Sequence, residues 1–323
     1  MRLLKLVPDD TNLDFMRWRN LALIISIVVT VAAIALVFTR GLNLGVDFVG
    51  GQSVRVTFQQ PPSLDQLRDR VNALGLGDAS LQEFGSPNVI RINMPLPEGG
   101  EAAAVQAASR VRETITQDYP GARFDAVESV SGKVSEELFR SGAWAIALAM
   151  LGIAIYIWIR FEWQFGVGAL VTLFHDVWMT LGFFSLTQLE FNLNVIAAVL
   201  TIVGYSLNDT VVVYDRIREN LRKYRKMEIV PLLNLSLNET LSRTMVTSIS
   251  ILLALGMLLL FGPDVIFGLT IAIFIGIFVG TYSSIYISSP ILVWLGVTSD
   301  SFRPKDPVSR ARGPRNETDG AQV

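Results

Sequence analysis

Cysteine is absent from this chain of 323 residues, and the only histidine is His175. The lack of cysteine excludes disulfide bonds and thiolate chemistry, and it leaves the redox compartment undetermined. A single histidine excludes a metal site built from several histidines. Charged side chains make up 17% of the residues, against about 25% in an average soluble domain. The formal net charge of −2 is nearly uninformative, whereas the distribution of charge along the chain is not.

Hydrophobic residues, by contrast, make up 51% of the chain, and the mean hydropathy is +0.44. This composition predicts a polytopic α-helical membrane protein. Six apolar runs reach the roughly 20 residues that a bilayer core requires. The predicted transmembrane helices cover 21–40, 142–160, 165–187, 193–214, 241–261 and 265–290. Pro290 is expected to break the last apolar run, in which the spacing of Gly276 and Gly280 permits close helix contact.

Lysine and arginine predict the orientation of these helices. Basic residues cluster before the first span, after the fourth and after the sixth, and six spans bring all three clusters to one side. Both termini and the 215–240 loop are therefore predicted to be cytoplasmic. The tail 297–323 is rich in proline, glycine and charge, which predicts disorder. The first apolar run follows a charged leader, 1–20, and is too long for a signal core, so no cleavable signal peptide is expected.

Residues 41–140 between the first two spans are predicted to form one small extracytoplasmic α+β domain. The predicted elements are strand Gln52–Phe58, helix Ser63–Leu74, strands Ala79–Phe84 and Asn88–Met94, helix Glu101–Gln117 and strand Arg123–Val130. The order βαββαβ predicts a ferredoxin-like, two-layer fold. The segment has no glycine-rich phosphate loop and no motif for a nucleophile or paired catalytic acids. We therefore expect it to bind a partner and not to catalyse a reaction.

The fourth apolar run contains a carboxylate, Asp209. A charged residue at the centre of a membrane helix costs about 2.5 to 3.5 kcal/mol on insertion scales, so it usually faces the protein interior and moves an ion or proton. Tyr205 and Ser206 are predicted to share its helix face. Arg216 lies about 10 Å further along the axis, too far for a direct pair, so a partner has to come from another helix. A purely structural carboxylate, hydrogen-bonded within the bundle, is the alternative.

The third apolar run contains His175 and Asp176 near its middle. Adjacent helical residues point about 100° apart, so we do not expect this pair to line one surface. Asp176 is predicted to share its face with Thr172 and Thr180. One interpretation is a second proton-relay site, because histidine titrates near neutral pH. The other is hydrogen bonding between helices, and the sequence does not separate the two.

Three further polar positions have more than one interpretation each. Arg243, at the start of the fifth span, is either structural, as a positive-inside anchor or as the partner of Glu239 four residues earlier, or a functional counter-charge. Asn208 either hydrogen-bonds across helices or orients the neighbouring carboxylate. Asp47 precedes paired glycines just outside the first span. It either caps a turn there or faces the mouth of a proton path.

Three motifs resemble the SecF family, the smaller partners of SecD in bacterial protein export. They are Leu44-Gly-Val-Asp-Phe-Val-Gly-Gly51, Phe174-His-Asp-Val177 and Gly204-Tyr-Ser-Leu-Asn-Asp-Thr-Val-Val-Val-Tyr-Asp-Arg-Ile-Arg-Glu-Asn220. The third motif is long and specific, whereas the first is shared with SecD. The resemblance runs from about residue 19 to residue 295. It includes the number of spans and the single outer domain, which in SecD is much larger.

The resemblance implies one half of an RND-type transporter, completed by a SecD-like subunit, in the bacterial cytoplasmic membrane. It implies a role in which the proton-motive force assists translocation of a polypeptide through the Sec channel and its accessory subunits. Asp209 and Arg243 are the implied proton-coupling pair, with Asn208, His175, Asp176 and Asp47 as secondary candidates. The bilayer is a further partner, and no nucleic acid, cofactor, metal or enzymatic activity is implied.

Two other functions were weighed against this one. An RND-type half-transporter for a small molecule or lipid also needs an intramembrane carboxylate, but such pumps generally have larger outer domains. An intramembrane enzyme has little support, because the chain has no paired-aspartate protease signature, no histidine cluster and no convincing nucleophile–base arrangement.

Overall fold

The computed structural model describes residues 11–77, 79–84, 86–95, 97 and 100–298. In chain order its elements are α1 (Arg19–Thr39), α2 (Val46–Val49), β1 (Gly51–Thr57), α3 (Leu64–Asn72), β2 (Ser80–Phe84), β3 (Ser86–Met94), α4 (Gly100–Asp118), β4 (Arg123–Val130), α5 (Gly132–Arg160), α6 (Trp163–Thr187), α7 (Leu193–Lys223), α8 (Ile229–Phe261), α9 (Phe267–Tyr286) and α10 (Ser288–Trp294). Short 3-10 turns at Phe15–Trp18 and Asp264–Ile266 precede α1 and α9. Most of the predicted leader (1–10) and tail (299–323) lies outside the described residues.

Among the described residues, six helical segments are long and apolar enough to cross a membrane, namely α1, α5, α6, α7, α8 and α9 together with α10. The predicted fold class, a helical membrane protein with one α+β domain after the first span, is therefore confirmed. In α6, α7 and α9–α10, 44–56% of the most apolar stretch is buried within the chain, against 11–22% in α1, α5 and α8. Helices α6, α7 and α9–α10 thus form the centre of the bundle. Helices α1, α5 and α8 expose apolar side chains, as a bilayer allows.

The sheet domain, residues 51–130, contains the strands and helices that the periodicity predicts, with ends shifted by a residue or two. Its antiparallel sheet has the order β2-β3-β1-β4, so β3 and β1 are the inner strands. Val54 and Ile92 are partners in the register and are almost completely buried. Val71 of α3 and Val111 of α4 pack in the same core, because alternate strand residues face the two helices.

Small residues bring the central helices close together. α7 packs against α6, α8 and α9. Gly276 of α9 lies against the side chain of Ile202 on α7, with no room for a Cβ, and Gly280 lies against Ser206 one turn further on. Close approach between membrane helices depends on such residues, because lipid provides no hydrophobic force for association. The glycine spacing noted in the sequence therefore lies at the contact between α7 and α9.

Several helix boundaries differ from the predicted spans. Helix α5 begins at Gly132, before residue 142, and α7 ends at Lys223, beyond residue 214. The last span is interrupted at Ile287, between α9 and α10. Pro290 explains the break, since it lacks an N–H and its ring crowds the carbonyl of Tyr286, four residues earlier. Helix α8 begins at Ile229, well before residue 241, because a helix can continue beyond the hydrocarbon core. The depths of the spans themselves stay a prediction.

Candidate functional site

Three central helices meet at the carboxylate of Asp176, which is 1% exposed. Its Oδ1 atom lies 2.8 Å from Nδ1 of His175 on the same helix. Its Oδ2 atom accepts hydrogen bonds from Ser206 of α7, at 2.5 Å, and Ser283 of α9, at 2.9 Å. Both carboxylate oxygens of Asp176 therefore have partners, and the group joins α6, α7 and α9 at one point.

His175 and Asp176 face different neighbours, in line with the 100° between adjacent helical residues. His175 borders a groove beside Ser26 of α1, whereas Asp176 faces α7 and α9. The sequence did not predict that the two side chains touch each other. Thr172 and Thr180 donate to the carbonyls of Gly168 and Asp176 in their own helix, so neither binds the Asp176 carboxylate.

Asp209 lies on α7 one turn beyond Ser206 and is 4% exposed. Its Oδ2 atom is buried and accepts no hydrogen bond within the described part of the chain. The two residues predicted on its face have other partners. The Ser206 hydroxyl donates to Asp176, and the Tyr205 hydroxyl lies 3.5 Å from that of Ser248 on α8. Asp209 and Asp176 are thus both buried in the bundle, but among the described residues Asp176 accepts hydrogen bonds from two serine hydroxyls, whereas Oδ2 of Asp209 accepts none.

The guanidinium of Arg243, on α8, is the charge that acts electrostatically on Asp209. No hydrogen bond or ion pair within 4.0 Å joins these two described side chains, and Arg243 is exposed. The predicted alternative, a pair between Arg243 and Glu239, does not form. Glu239 instead accepts from Arg216, at 2.7 Å, and from Asn220, at 2.6 Å. Because α7 and α8 lie side by side, these interhelical partners take the place of the one four residues away.

Asn208 lies on the opposite side of α7 from the bundle core. It is exposed, as are Thr201 and Gly204 on the same helix face. The Asn208 side chain forms no hydrogen bond to any residue that the structure describes, so neither predicted role for it is fulfilled within this chain. An amide at this position needs a partner from outside the chain if it lies in the hydrocarbon.

Asp47 joins the segment after α1 to the start of α7. Its Oδ2 atom accepts the backbone N–H of Leu193 at 2.9 Å. This N–H belongs to the first turn of α7, where no intrahelical acceptor exists. The paired glycines that follow have positive φ angles, 71° at Gly50 and 127° at Gly51, and a Cβ at Gly51 would collide with the carbonyl of Met94. Asp47 thus caps a helix, but a different one from the turn beside it.

The sequence analysis overlooked Ser283 and Thr281 of α9 and Ser248 of α8. The Thr281 hydroxyl donates to Ser248 at 2.8 Å, next to Tyr205. A signal was available, because hydroxyl residues recur between positions 281 and 289 in an otherwise apolar run. Polar side chains in membrane helices commonly hydrogen-bond across helix interfaces.

Within the described residues no three His, Asp or Glu side chains come together as a group that could hold a metal ion. The Asp176 and Asp209 carboxylates therefore stand apart from any such cluster. The chemistry available to them is hydrogen bonding, charge interaction and proton uptake or release.

Two family models match the chain. One is described as "Protein export membrane protein SecD/SecF, C-terminal" and matches residues 111–298. The other is described as the "SecD/SecF GG Motif" and matches residues 35–62, which include Asp47 and its paired glycines. Together they include every candidate residue named above.

Curated relatives named "Protein translocase subunit SecF" align along nearly their whole length. The protein from Desulfurispirillum indicum is 45% identical over 287 residues, which is 87% of this chain and 91% of that protein. The protein from Pseudomonas aeruginosa is 43% identical over 297 residues, with 91% and 94% covered. The protein from Rhodobacter capsulatus is 42% identical over 316 residues, with 94% and 95% covered.

Solved structures of SecDF have the same fold. SecDF from Thermus thermophilus, described as a translocon-associated membrane protein, superposes with a TM-score of 0.82 at 34% identity and covers 89% of this chain. SecDF in a "Super-membrane-facing form" gives a TM-score of 0.67 at 33% identity. This chain spans 39% and 40% of those two chains, so it corresponds to one part of each.

Proposed function

The chain belongs to the SecF family of protein translocase subunits, and on this premise we propose that Asp209 couples an ion gradient to protein export. The protein is a multi-pass membrane subunit that assists Sec protein export together with a SecD-like subunit. The energy source, the coupling residues and the remaining partners belong to the proposal.

The observation that carries the proposal is the buried and incompletely hydrogen-bonded carboxylate of Asp209. Removing a charge from water costs several kcal/mol per ion, even after the protein relaxes. A protonated Asp209 avoids this cost, whereas an ionised one needs a cation beside it. The two forms therefore favour different distances between α7 and the source of that cation, which is how proton binding can move a helix.

Arg243 on α8 is the cation in this scheme. A guanidinium stays protonated in proteins, so Arg243 acts as a counter-charge and not as a proton carrier. Its exposed position, beyond 4.0 Å from Asp209, leaves room for it to approach when the carboxylate is ionised. Proton uptake by Asp209 would release Arg243, and proton loss would recruit it.

Asp176 suits a structural role better than Asp209 does. Its two oxygens contact His175, Ser206 and Ser283, so the carboxylate already serves to join α6 to two neighbouring helices. We therefore assign Asp176 to holding α6, α7 and α9 together, and we place its histidine neighbour there as well. Asp47, as the cap of α7, is assigned to fixing the start of the same helix.

A SecD-like subunit supplies the second half of the assembly in this proposal. The exposed face of α7 at Thr201, Gly204 and Asn208 supports a partner there, because an unpaired amide in lipid is costly. The Sec channel, its accessory subunits and the translocating polypeptide are further partners, on the basis of the names of the relatives. In the orientation that lysine and arginine predict, the sheet domain lies outside the membrane, and we assign it to contact with the emerging chain on that ground.

We further place the protein in the bacterial cytoplasmic membrane with both termini inside and residues 41–140 outside. The distribution of lysine and arginine supports this orientation. We also propose that the subunit is not an enzyme and uses neither a cofactor nor a metal. The small-molecule half-transporter is the weaker alternative, because relatives that align along nearly their whole length are named translocase subunits.

Export into sealed vesicles that contain the complex with the SecD-like subunit and the Sec channel tests the proposal. A proton gradient and a sodium gradient are imposed separately, and the gradient-driven part of export is measured for wild type and Asp209→Asn. We expect Asp209→Asn to lose this part, because an amide cannot release a proton, while gradient-independent export continues. The gradient that supports wild-type export identifies the ion.

Asp215→Asn on the same helix is the matched control. Asp215 is 47% exposed and pairs with Arg160 at 3.2 Å, so its loss removes a surface ion pair of about 0 to 1 kcal/mol. Arg243→Lys should keep part of the gradient response and Arg243→Gln should lose it. Full gradient-driven export by Asp209→Asn would overturn the proposal.

A further inference from the structure

A buried ion pair joins the sheet domain to the helix bundle. Nη1 of Arg91, on β3, lies 2.8 Å from Oε2 of Glu190, in the loop between α6 and α7. The two side chains are only 6% and 10% exposed, and Asn93 donates to the same Glu190 oxygen at 3.2 Å. We call Arg91 and Glu190 the latch. Its two ends lie in parts of the fold that are far apart in sequence.

On the side of the sheet domain the latch is held rigidly. β3 is an inner strand, and Arg91 is in register with Arg55 of β1 and Gln82 of β2. The Arg91 guanidinium also lies 3.9 Å from the ring centroid of Phe84, within the range of a cation–π contact. Arg91 therefore cannot move far without displacing the sheet.

On the bundle side the latch is held just as firmly. Two backbone hydrogen bonds tie the loop to the segment after α1: the N–H of Gly45 donates to Phe191 at 2.9 Å, and the N–H of Phe191 donates to Asn43 at 2.7 Å. A Cβ at Gly45 would lie 2.7 Å from Oε1 of Glu190, so glycine leaves room for that carboxylate. Two residues beyond Phe191, α7 begins, capped by Asp47.

We propose that Arg91 and Glu190 are positioning residues that make the sheet domain move together with α7, an inference that rests on the proposed function of Asp209. Helix α7 is continuous from Leu193 to Lys223, and Asp209 lies about 24 Å along it from Leu193. A shift of α7 that begins at Asp209 thus reaches the sheet domain through Glu190. Buried ion pairs are weak evidence for stability, but they do fix one arrangement over others.

Two clefts flank the latch between the sheet domain and the bundle. One, of about 50 Å³, lies between Glu83 of β2 and Asn194 of α7, and the other, of about 190 Å³, lies between Ser80 and Val49. The latch therefore bridges a boundary that is open on both sides. Without the latch, the hydrogen bond from Gln82 of β2 to the carbonyl of Gln188, at 3.1 Å, would still cross this boundary, but the sheet domain would have room to tilt about it.

A distance measurement tests the latch directly and does not depend on export. The chain has no cysteine, so spin labels can be attached at Gln106→Cys of α4 and at Arg222→Cys near the C-terminal end of α7 in the complex with the SecD-like subunit. We expect one narrow distance distribution for wild type and a broad one for Glu190→Gln. Glu83→Gln, an exposed carboxylate beside the latch, should stay narrow. An unchanged distribution in Glu190→Gln would overturn the proposal.

Loss of one partner of a buried pair can also destabilise the protein. The charge-reversed double variant Arg91→Glu with Glu190→Arg separates the two effects. It restores an opposite-charge pair, so we expect it to narrow the distribution again relative to either single reversal. Failure of the double variant to differ from the single ones, in protein that still copurifies with its partner, would contradict a pairwise latch.

Covalent rescue tests the mechanical role. Glu83→Cys and Asn194→Cys, joined by a short reversible bifunctional thiol reagent, tie the sheet domain to α7 in a Glu190→Gln background. We expect gradient-driven export to be lost before linkage, restored by it and lost again on reduction. Linkage of Arg70→Cys to Asp118→Cys, within the sheet domain, should restore nothing.

The same linkage in otherwise wild-type protein should leave gradient-driven export intact. Loss of export on linkage would mean that the sheet domain has to move against α7, and it would overturn the proposal. If wild type shows no gradient-driven export, the proposed function of Asp209 fails. The distance measurement then still decides whether the latch couples the two parts.

Discussion

The contact between Gly276 and Ile202 offers the sharpest test of the bundle packing. A methyl group at position 276 would overlap the Ile202 side chain, and overpacking of this kind costs about 1 to 3 kcal/mol. Gly204, on the exposed face of α7, has nothing within 4 Å of its hypothetical Cβ. Both substitutions to alanine gain up to about 1 kcal/mol in helix propensity, so this gain cancels in the comparison. We therefore expect Gly276→Ala to be less stable than Gly204→Ala by about 1 to 3 kcal/mol.

Unfolding of the purified chain in mixed micelles, titrated with a denaturing detergent and followed by tryptophan fluorescence, measures this difference. Ile202→Ala should by itself cost about 2 to 5 kcal/mol, because it leaves a cavity beside α9. In the double variant Gly276→Ala with Ile202→Ala, the new methyl group at position 276 occupies part of that cavity. The effects of the two substitutions on stability should therefore couple by about 0.5 to 3 kcal/mol. Equal stability of Gly276→Ala and Gly204→Ala, with additive effects of Ile202→Ala, would refute the packing argument.

Three further predictions concern other contacts. Asp176→Ala should lower the free energy of unfolding by about 1 to 3 kcal/mol in the same assay, because it leaves the buried Ser206 and Ser283 hydroxyls without their acceptor, and Ser283→Ala should lower it by about 0.5 to 1.5 kcal/mol. Asp47→Ala should cost about 1 kcal/mol through the lost helix cap, whereas Asp47→Asn should cost much less. Arg70 donates to Asp118 at 2.6 Å and holds the pKa of that carboxyl below its usual range. Because the folded pKa is the lower one, wild type should exceed Arg70→Gln in stability at neutral pH, and the difference should vanish on acidification; a difference that persists in acid would contradict this.

The elements of the sheet domain could be predicted from the sequence because their signals are local. Alternation in Gly51–Thr57 and helical spacing in Leu64–Asn72 depend on neighbours within a few residues. The sheet order could not be read in the same way, since the pairing of β1 with β3 and β4 joins segments far apart in sequence. The latch was overlooked for that reason, because α4, β4 and the second and third spans, α5 and α6, separate Arg91 from Glu190 in the sequence.

The same distinction between local and long-range signals applies to the candidate site. Asp209 could be singled out from sequence, because a charge in an apolar run is costly wherever the helix lies. The partner of Glu239 could not be predicted in this way. The nearest arginine in its own helix is Arg243, but the arginine that binds Glu239 is Arg216 on α7. For Arg243 the sequence left three interpretations, and the structure removes one of them, the pairing with Glu239, because Glu239 is bound by Arg216.

The sequence alone is enough to predict a helical membrane protein with a βαββαβ domain after its first span and a carboxylate inside its fourth. Hydropathy, periodicity and the cost of buried charge are properties of each segment and need no knowledge of its neighbours. The packing of the helices was needed to show that Asp176 is bound by Ser206 and Ser283 and that, within the described residues, Oδ2 of Asp209 has no donor. Those contacts depend on how far each helix is rotated and at what depth it packs, and small residues such as Gly280 at the interfaces fix both.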